Sequence, residues 1–228
     1  MNTPEQQRPI RSYVLRAGRM TAGQQRAVAE HWQRWGLEHA DGRLDSAKLF
    51  ARSAPLVLEI GFGMGHSLVE MAAKAPEKNF IGVEVHGPGV GTLLQAVAAR
   101  EIDNIRVYRH DAVEVLRDCI APASLACVQI FFPDPWHKKR HHKRRLIQRP
   151  FLDLVASRIE PGGTLHLATD WEDYAQQMLE LLGESPDFAN TCADGGYAPR
   201  PELRPPTKFE QRGERLGHGV WDLVFMRC

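Results

Sequence analysis

Residues 56–85 read LVLEIGFGMGHSLVEMAAKAPEKNFIGVEV, and the order of features in this stretch sets the fold class. Leu56 to Ile60 is apolar except for Glu59, the pattern of a strand buried on both faces. Gly61-Phe62-Gly63-Met64-Gly65 follows, and a helix is predicted from His66 to Ala75. Asn79 to Val85 is a second strand that ends at Glu84. Strand, glycine turn, helix and strand imply parallel pairing with the helix packed on the sheet.

The rhythm continues downstream. Val90 to Arg100 is helical, and Ile105 to His110 is a third strand ending at Asp111. Leu125 to Phe132 is a fourth strand. Pro150 opens a helix over Phe151 to Ile159. Gly163 to Thr169 is a fifth strand ending at Asp170, and Trp171 to Leu182 is a helix. Such alternation predicts an α/β fold, a mostly parallel sheet with helices on both faces. Phe188 to Cys192 and Val220 to Arg227 read as two late strands without a clear crossover helix between them, so one strand is expected to run antiparallel.

Upstream, Thr21 is placed to cap a helix running to about Gly36, with Val28, Trp32 and Trp35 as core residues at helical spacing. Met1 to Pro9 is polar and expected to be mobile. Ile10 to Thr21 mixes apolar residues with Arg11, Arg16 and Arg19, and either packs across the domain or helps to hold phosphate. Residues 1–20 are therefore read as an N-terminal extension and 21–228 as a single domain. That length, 228 residues in all, suffices for a substantial core.

Net charge is +1, so the molecule as a whole is not a polycation. Its four cysteines, Cys119, Cys127, Cys192 and Cys228, form no C-x-x-C pair, which argues against a zinc site or a disulfide framework. No signal-peptide core and no membrane-length apolar run is present. A reduced, cytoplasmic protein is expected.

Glu59, Glu84, Asp111, Asp134 and Asp170 each fall at or just inside the carboxyl end of a predicted strand. In a parallel sheet those ends share one edge, where open α/β sheets bind ligands. Helix capping is an adequate account of Asp111 and Asp170. It is a poorer one for Glu59, embedded in an apolar strand. Gly61, Gly63 and Gly65 permit a tight turn and close backbone approach to a ligand. A dinucleotide fingerprint wants its third glycine where His66 stands, and a carboxylate before the first glycine sits badly beside a pyrophosphate. Glu59 suits an ammonium group instead, and Glu84, about two dozen residues on, suits a ribose diol. An acid for an amine, an acid for a ribose and glycines between them describe S-adenosylmethionine.

Residues 129–149, QIFFPDPWHKKRHHKRRLIQR, carry the second half of the chemistry. Two prolines flank Asp134 and hold it extended. Beyond Trp136, every residue from His137 to Arg145 is basic or histidine, a footprint for phosphates. The adjacency points to chemistry on a nucleic acid. His137, His141 and His142 are read as part of the phosphate surface, and no metal is expected.

LEIGFGMG (58–65), GVEVHGPGVG (82–91), FPDPWHKKRHHKRRL (132–146), ATDWEDYA (168–175) and TKFEQRG (207–213), in this order, resemble the bacterial tRNA (guanine-N7)-methyltransferase family. The likeness runs from about Arg11 to the C-terminus. It implies a seven-stranded Rossmann-like class I methyltransferase fold, S-adenosylmethionine as methyl donor and the variable-loop guanine of tRNA as target. By motif position it assigns Glu59, Glu84, Asp111 and Asp134 to the cofactor pocket, with Asp134 also catalytic. Lys138, Asp170, Thr207, Lys208, Phe209 and Glu210 fall to substrate binding, and Arg140, His141, His142, Lys143, Arg144 and Arg145 to RNA contact. Gly183 to Pro206 matches least distinctively, and no function carries over there.

Guanine N7 bears a lone pair and no proton, so methylation needs positioning rather than a base acting on N7. Asp134 is expected to bind guanine through its N–H edge and stabilise the developing positive charge. The base must leave its stack, with Trp136 or Phe209 to receive it; for Trp136, packing against the following helix is an equal reading. The alternatives are another S-adenosylmethionine-dependent RNA methyltransferase and a non-catalytic RNA-binding protein on the same fold. The expected partner is tRNA; no membrane and no obligate protein partner are implied, and monomer and homodimer stay open.

Overall fold

The computed structural model of the chain describes residues 12–13, 18–205, 210 and 219–228. The expected mobility of Met1 to Pro9 falls outside the described residues, as do Thr207, Lys208 and Phe209.

Helix α1, Ala22–Trp35, begins at a reciprocal capping box. The Thr21 hydroxyl accepts from the Gln24 amide at 3.2 Å while the Gln24 side chain accepts from the Thr21 amide at 2.9 Å. Strands β2, Leu56–Ile60, and β3, Asn79–Val83, are buried at every position, as apolar runs on both sides of α3, His66–Lys74, require. Helix α4, Gly87–Ala99, starts earlier than the apolar period suggests because Pro88 suits the first turn. The remaining parallel strands are β4, Ile105–Tyr108, β5, Leu125–Phe131, and β6, Ile159–Thr169, with α6, Arg149–Arg158, before β6 and α7, Glu172–Gly183, after it. Strand β7, Phe188–Asn190, and strand β8, Trp221–Arg227, close the chain.

Among the described residues the sheet has eight strands, one more than expected. The extra strand, β1, is Gly36–Leu37, which pairs in parallel with β4 at the sheet edge. Two residues are too few to show an alternation. Helix α2, Ser46–Phe50, and α5, Ala112–Glu114, which runs on into a π-helical turn over Val115–Cys119, are equally short and escaped the periodicity. Strand order is β1-β4-β3-β2-β5-β6-β8-β7, and β8 is antiparallel to both of its neighbours. The order reverses between β2 and β5, and a crevice at the carboxyl ends of those strands is the expected ligand site.

The sheet separates two apolar layers. Leu58, Ile60, Val128, Ile130, Leu165 and Leu167 meet α6 and α7 on one side; Val57, Phe131 and Ala168 meet α1, α3 and α4 on the other. Trp35 is 3% exposed and donates its indole N–H to the Ile102 carbonyl at 2.9 Å, whereas Val28 and Trp32 are half-buried. The tryptophans of α1 are packing residues. Removing the capping box through Thr21→Ala should cost about 1 kcal/mol, read as a lower urea midpoint at unchanged slope. An unchanged midpoint would mean that packing alone sets the start of α1.

Candidate active site

The turn after β2 is built by three glycines. Gly61, Gly63 and Gly65 have φ of 73°, 59° and 77°, a region side chains other than glycine rarely enter. Helix α4 presses on this turn: a Cβ at Gly89 would stand 2.0 Å from the Gly63 carbonyl oxygen. Glu84, just past β3, ties the turn from below. It accepts from the amides of Gly63 at 2.9 Å, Val85 at 2.7 Å and His86 at 2.9 Å. Asp111 caps α5, accepting from the Val113 amide at 2.8 Å, and its other oxygen accepts from the Tyr13 hydroxyl at 3.1 Å.

Glu59 is different. It is 3% exposed, and its Oε2 has no hydrogen-bond partner. Its neighbour in register on β5 is Gln129, whose Oε1 is also buried without a partner. Two acceptors side by side on one face require a donor, and a cationic one suits them best. Burial, aided by the Glu84 charge, pushes the Glu59 carboxyl up to about 8.

Above these residues lies an open cleft of about 240 Å³, lined among others by Gly61, Glu84, Asp111 and Asp134. The structure thus gathers three of the expected acids, Glu84, Asp111 and Asp134, around one space, while Glu59 is not among the lining residues. Ser12 and Tyr13 also line the cleft, a contribution for which the N-terminal sequence holds no motif.

Strand β5 delivers Asp134 through a constrained turn. Phe132 has φ of 52° immediately before Pro133, a conformation unfavourable for a bulky residue and for one preceding proline. Its amide donates to the Ala168 carbonyl at 2.7 Å. Trp136, at φ of 49°, donates to the Ser12 carbonyl at 3.3 Å and has the Arg144 guanidinium 5.0 Å over its ring. Its ring is engaged in packing. His137 meets Trp171 edge-on at 4.1 Å, which brings the loop beside the end of β6. There Asp170 is half-buried, without a hydrogen bond or ion pair among the described residues. It does not cap α7; Thr169 accepts from the Trp171 amide instead.

The basic run forms a 3₁₀ helix, Lys139–Arg144, with exposed Lys138 at its start. Lys138, Lys139, Arg140 and Lys143 are exposed, and His141, His142 and Arg144 are half-buried. Arg145 departs from the expected RNA contact. It is buried, donating to the Pro135 carbonyl at 2.8 Å, to Asp173 at 2.5 Å and to Gln177, with the Tyr174 ring 4.7 Å below. Arg145 therefore anchors the Asp134 loop to α7 and is not available to a phosphate. Glu210 is buried too, held by Arg204 at 2.8 and 3.1 Å and by Arg200 at 3.2 Å.

A native carboxyl near 8 against an ordinary value of 4.5 binds a proton that the unfolded chain releases. Stability should therefore fall as pH rises from about 4.5 to 8. Glu59→Gln removes that dependence. The variant should gain a few kcal/mol over the parent at pH 9 relative to pH 5, measured by urea unfolding at both. An identical pH dependence in the two proteins would show Glu59 to be ionised and stabilised in the fold.

A family model described as "Putative methyltransferase" matches residues 53–223. The tRNA (guanine-N(7)-)-methyltransferase of Thiobacillus denitrificans is 62% identical over 218 residues, 96% of this chain and 95% of that protein. Its counterpart in Ectopseudomonas mendocina is 61% identical over 222 residues, 97% of this chain and 93% of that protein. Among solved structures, TrmN from Thermus thermophilus superposes with a TM-score of 0.54 at 20% identity, covering 80% of this chain and 47% of that one; that likeness speaks for the fold alone. At about 60% identity over nearly the full length of both chains, the chain belongs to the tRNA (guanine-N(7)-)-methyltransferase family.

Proposed function

We propose that the chain transfers a methyl group from S-adenosylmethionine to N7 of the variable-loop guanine of tRNA, with residues 21–228 acting as one catalytic domain in the cytoplasm. One observation carries the reading: a cleft holding Glu84, Asp111 and Asp134 continues, through Pro135 and Trp136, into an exposed cationic helix. Phosphates are drawn to the helix, and the base is presented to the acids. No described helix is long and apolar enough to cross a membrane.

The residues fit the cofactor. The unpartnered oxygen of Glu59 and that of Gln129 suit an ammonium group, and Glu84 and the glycine turn suit a ribose. When bound, S-adenosylmethionine supplies an electrophilic methyl on a sulfonium. Everything else falls to the chain. The strained turn at Phe132 and the Arg145 anchor fix Asp134 at the cleft. Asp134 accepts from the guanine N–H edge and stabilises the positive charge that grows on the base. Since N7 carries no proton, Asp134 has none to remove there. Lys138 and Asp170, on the two adjoining loops, flank the approach, and the exposed cations of the 3₁₀ helix set the register of the tRNA backbone.

The direct test is methyl transfer from labelled S-adenosylmethionine to unmodified tRNA, with nucleoside analysis of the product. 7-Methylguanosine mapped to the variable loop is expected; another modified nucleoside would overturn the choice of base. Asp134→Ala should lower turnover by on the order of 100-fold or more, and near-normal turnover would remove Asp134 from its role.

The basic run should divide in two. Arg140→Gln, Lys143→Gln and Arg144→Gln should each weaken tRNA binding and reduce its salt slope by about 1 while sparing cofactor affinity. Arg145→Gln should impair turnover and thermal stability with a nearly unchanged slope. A slope change at Arg145 equal to the others would contradict its assignment as an anchor.

A further inference from the structure

A second cavity, of about 400 Å³, opens beside the cleft. That volume is within the range of small-molecule sites. Ser12, Asp111, Val113 and Leu146 line both spaces, so the two are neighbours. The second lies between the π-helical turn, the 3₁₀ helix and the first turns of α6. Val113, Leu146, Pro150, Phe151 and Leu154 make its apolar wall. Phe151 is buried, whereas Val113, Leu146 and Leu154 are half-buried and Pro150 is exposed. A flat apolar ligand would take that surface out of water.

The rim is cationic. Lys143 and Arg144 of the 3₁₀ helix and Arg117 of the π-helical turn stand on it. Among the described residues Lys143 and Arg144 make no ion pair, and Arg144 lies 5.0 Å over the Trp136 ring. Arg117 donates from Nε and Nη2 to the two oxygens of Asp118, both at 2.9 Å, which leaves Nη1. The two acids of the lining are engaged elsewhere. Glu114 meets His110 at 2.6 Å, and Asp111 accepts from the Val113 amide and the Tyr13 hydroxyl. An apolar wall beneath cations that come from two elements matches a nucleotide, which has a flat base and an anionic phosphate.

We propose that this cavity is a second nucleotide subsite, which holds the base next to the target guanine in the tRNA chain while its phosphate lies on the rim of Arg117, Lys143 and Arg144. This rests on the reading of the cleft as the site of guanine methylation. When the guanine leaves its stack, the neighbouring base loses a stacking partner and exposes an apolar face. A cavity that shares a wall with the cleft is within one step of the RNA backbone. Covering the neighbouring base offsets part of the cost of extruding the guanine. Leu154 and Arg117, both outside the basic run, are then tRNA-binding residues.

The test pairs changes in the protein with changes in the RNA. Full-length wild type, Leu154→Ala, Leu154→Glu, Arg117→Gln and Asp118→Asn are measured for methyl transfer, for tRNA Kd and for S-adenosylmethionine Kd. The RNAs are unmodified tRNA transcripts, either intact or abasic at the nucleotide before or after the target guanine. Leu154→Glu should weaken binding of intact tRNA by roughly tenfold and Leu154→Ala by roughly threefold, with cofactor Kd held within about twofold. Loss of one of the two flanking bases should weaken wild type by roughly fivefold, and on that RNA Leu154→Ala should add no further loss. Arg117→Gln should reduce the salt slope by up to about 1. Asp118→Asn, which releases the guanidinium, should bind tRNA at least as well as wild type. Equal losses in Arg117→Gln and Asp118→Asn would make that pair a structural clasp and remove Arg117 from the rim. A Leu154→Ala penalty that is the same on all three RNAs, or absent from all, would show that no flanking base enters the cavity. Cofactor affinity falling in step with tRNA affinity in the Leu154 variants would give the cavity to the cofactor instead. If wild type methylates intact tRNA and the Leu154 variants match it, the subsite alone is wrong; if wild type transfers no methyl to tRNA, the reading of the cleft fails and takes the subsite with it.

Discussion

A carboxylate inside a fully paired strand is the constraint around which this molecule is built. Glu59 sits in β2 with β3 on one side and β5 on the other, so backbone amides of the sheet are committed to the ladder and cannot solvate it. Its neighbours on the same edge are treated otherwise. Glu84 takes three amides and Asp111 an amide and a hydroxyl. Glu59 keeps an oxygen without a partner. Burial pushes the Glu59 carboxyl up, and this least satisfied acid is the one that suits a cationic ligand.

Positive charge is sorted by the same rule. Arg145 and Arg204 are buried, and each is bonded on several sides. Lys138, Lys139, Arg140 and Lys143 stand in solvent, where their charge reaches a polyanion at little desolvation cost. A single run from Lys138 to Arg145 thus holds both exposed cations and one buried, multiply bonded arginine. The strain at Phe132 is local to the point where the two meet, between the Ala168 carbonyl and Pro133.

The parallel core was legible because β2, β3 and β5 are near-continuous apolar runs and their carboxyl ends are marked by acids. The antiparallel β8 was legible because the sequence between it and β7 shows no clear crossover helix. Strand β1 was not, since Gly36–Leu37 owes its pairing to where α1 delivers it rather than to its own pattern. The acids around the cleft were readable for a geometric reason: parallel strands put all their carboxyl ends on one edge. Arg145 was misread because residues in a basic run look alike, and only the approach of α7 makes one of them buried. Arg204 carried no signal at all. Its partners lie on β8 and beyond Pro206, and nothing within PELRPP announces that they converge.

Glu59, raised by burial, is expected to keep its proton until a cation reaches it. Calorimetry of S-adenosylmethionine binding at pH 7, run in buffers of different ionisation enthalpy, measures the protons exchanged. With the free carboxyl at about 8, binding should release close to one proton, and Glu59→Gln should abolish the release. A binding enthalpy independent of the buffer would contradict the account, because it would mean that Glu59 is already charged before the ligand arrives.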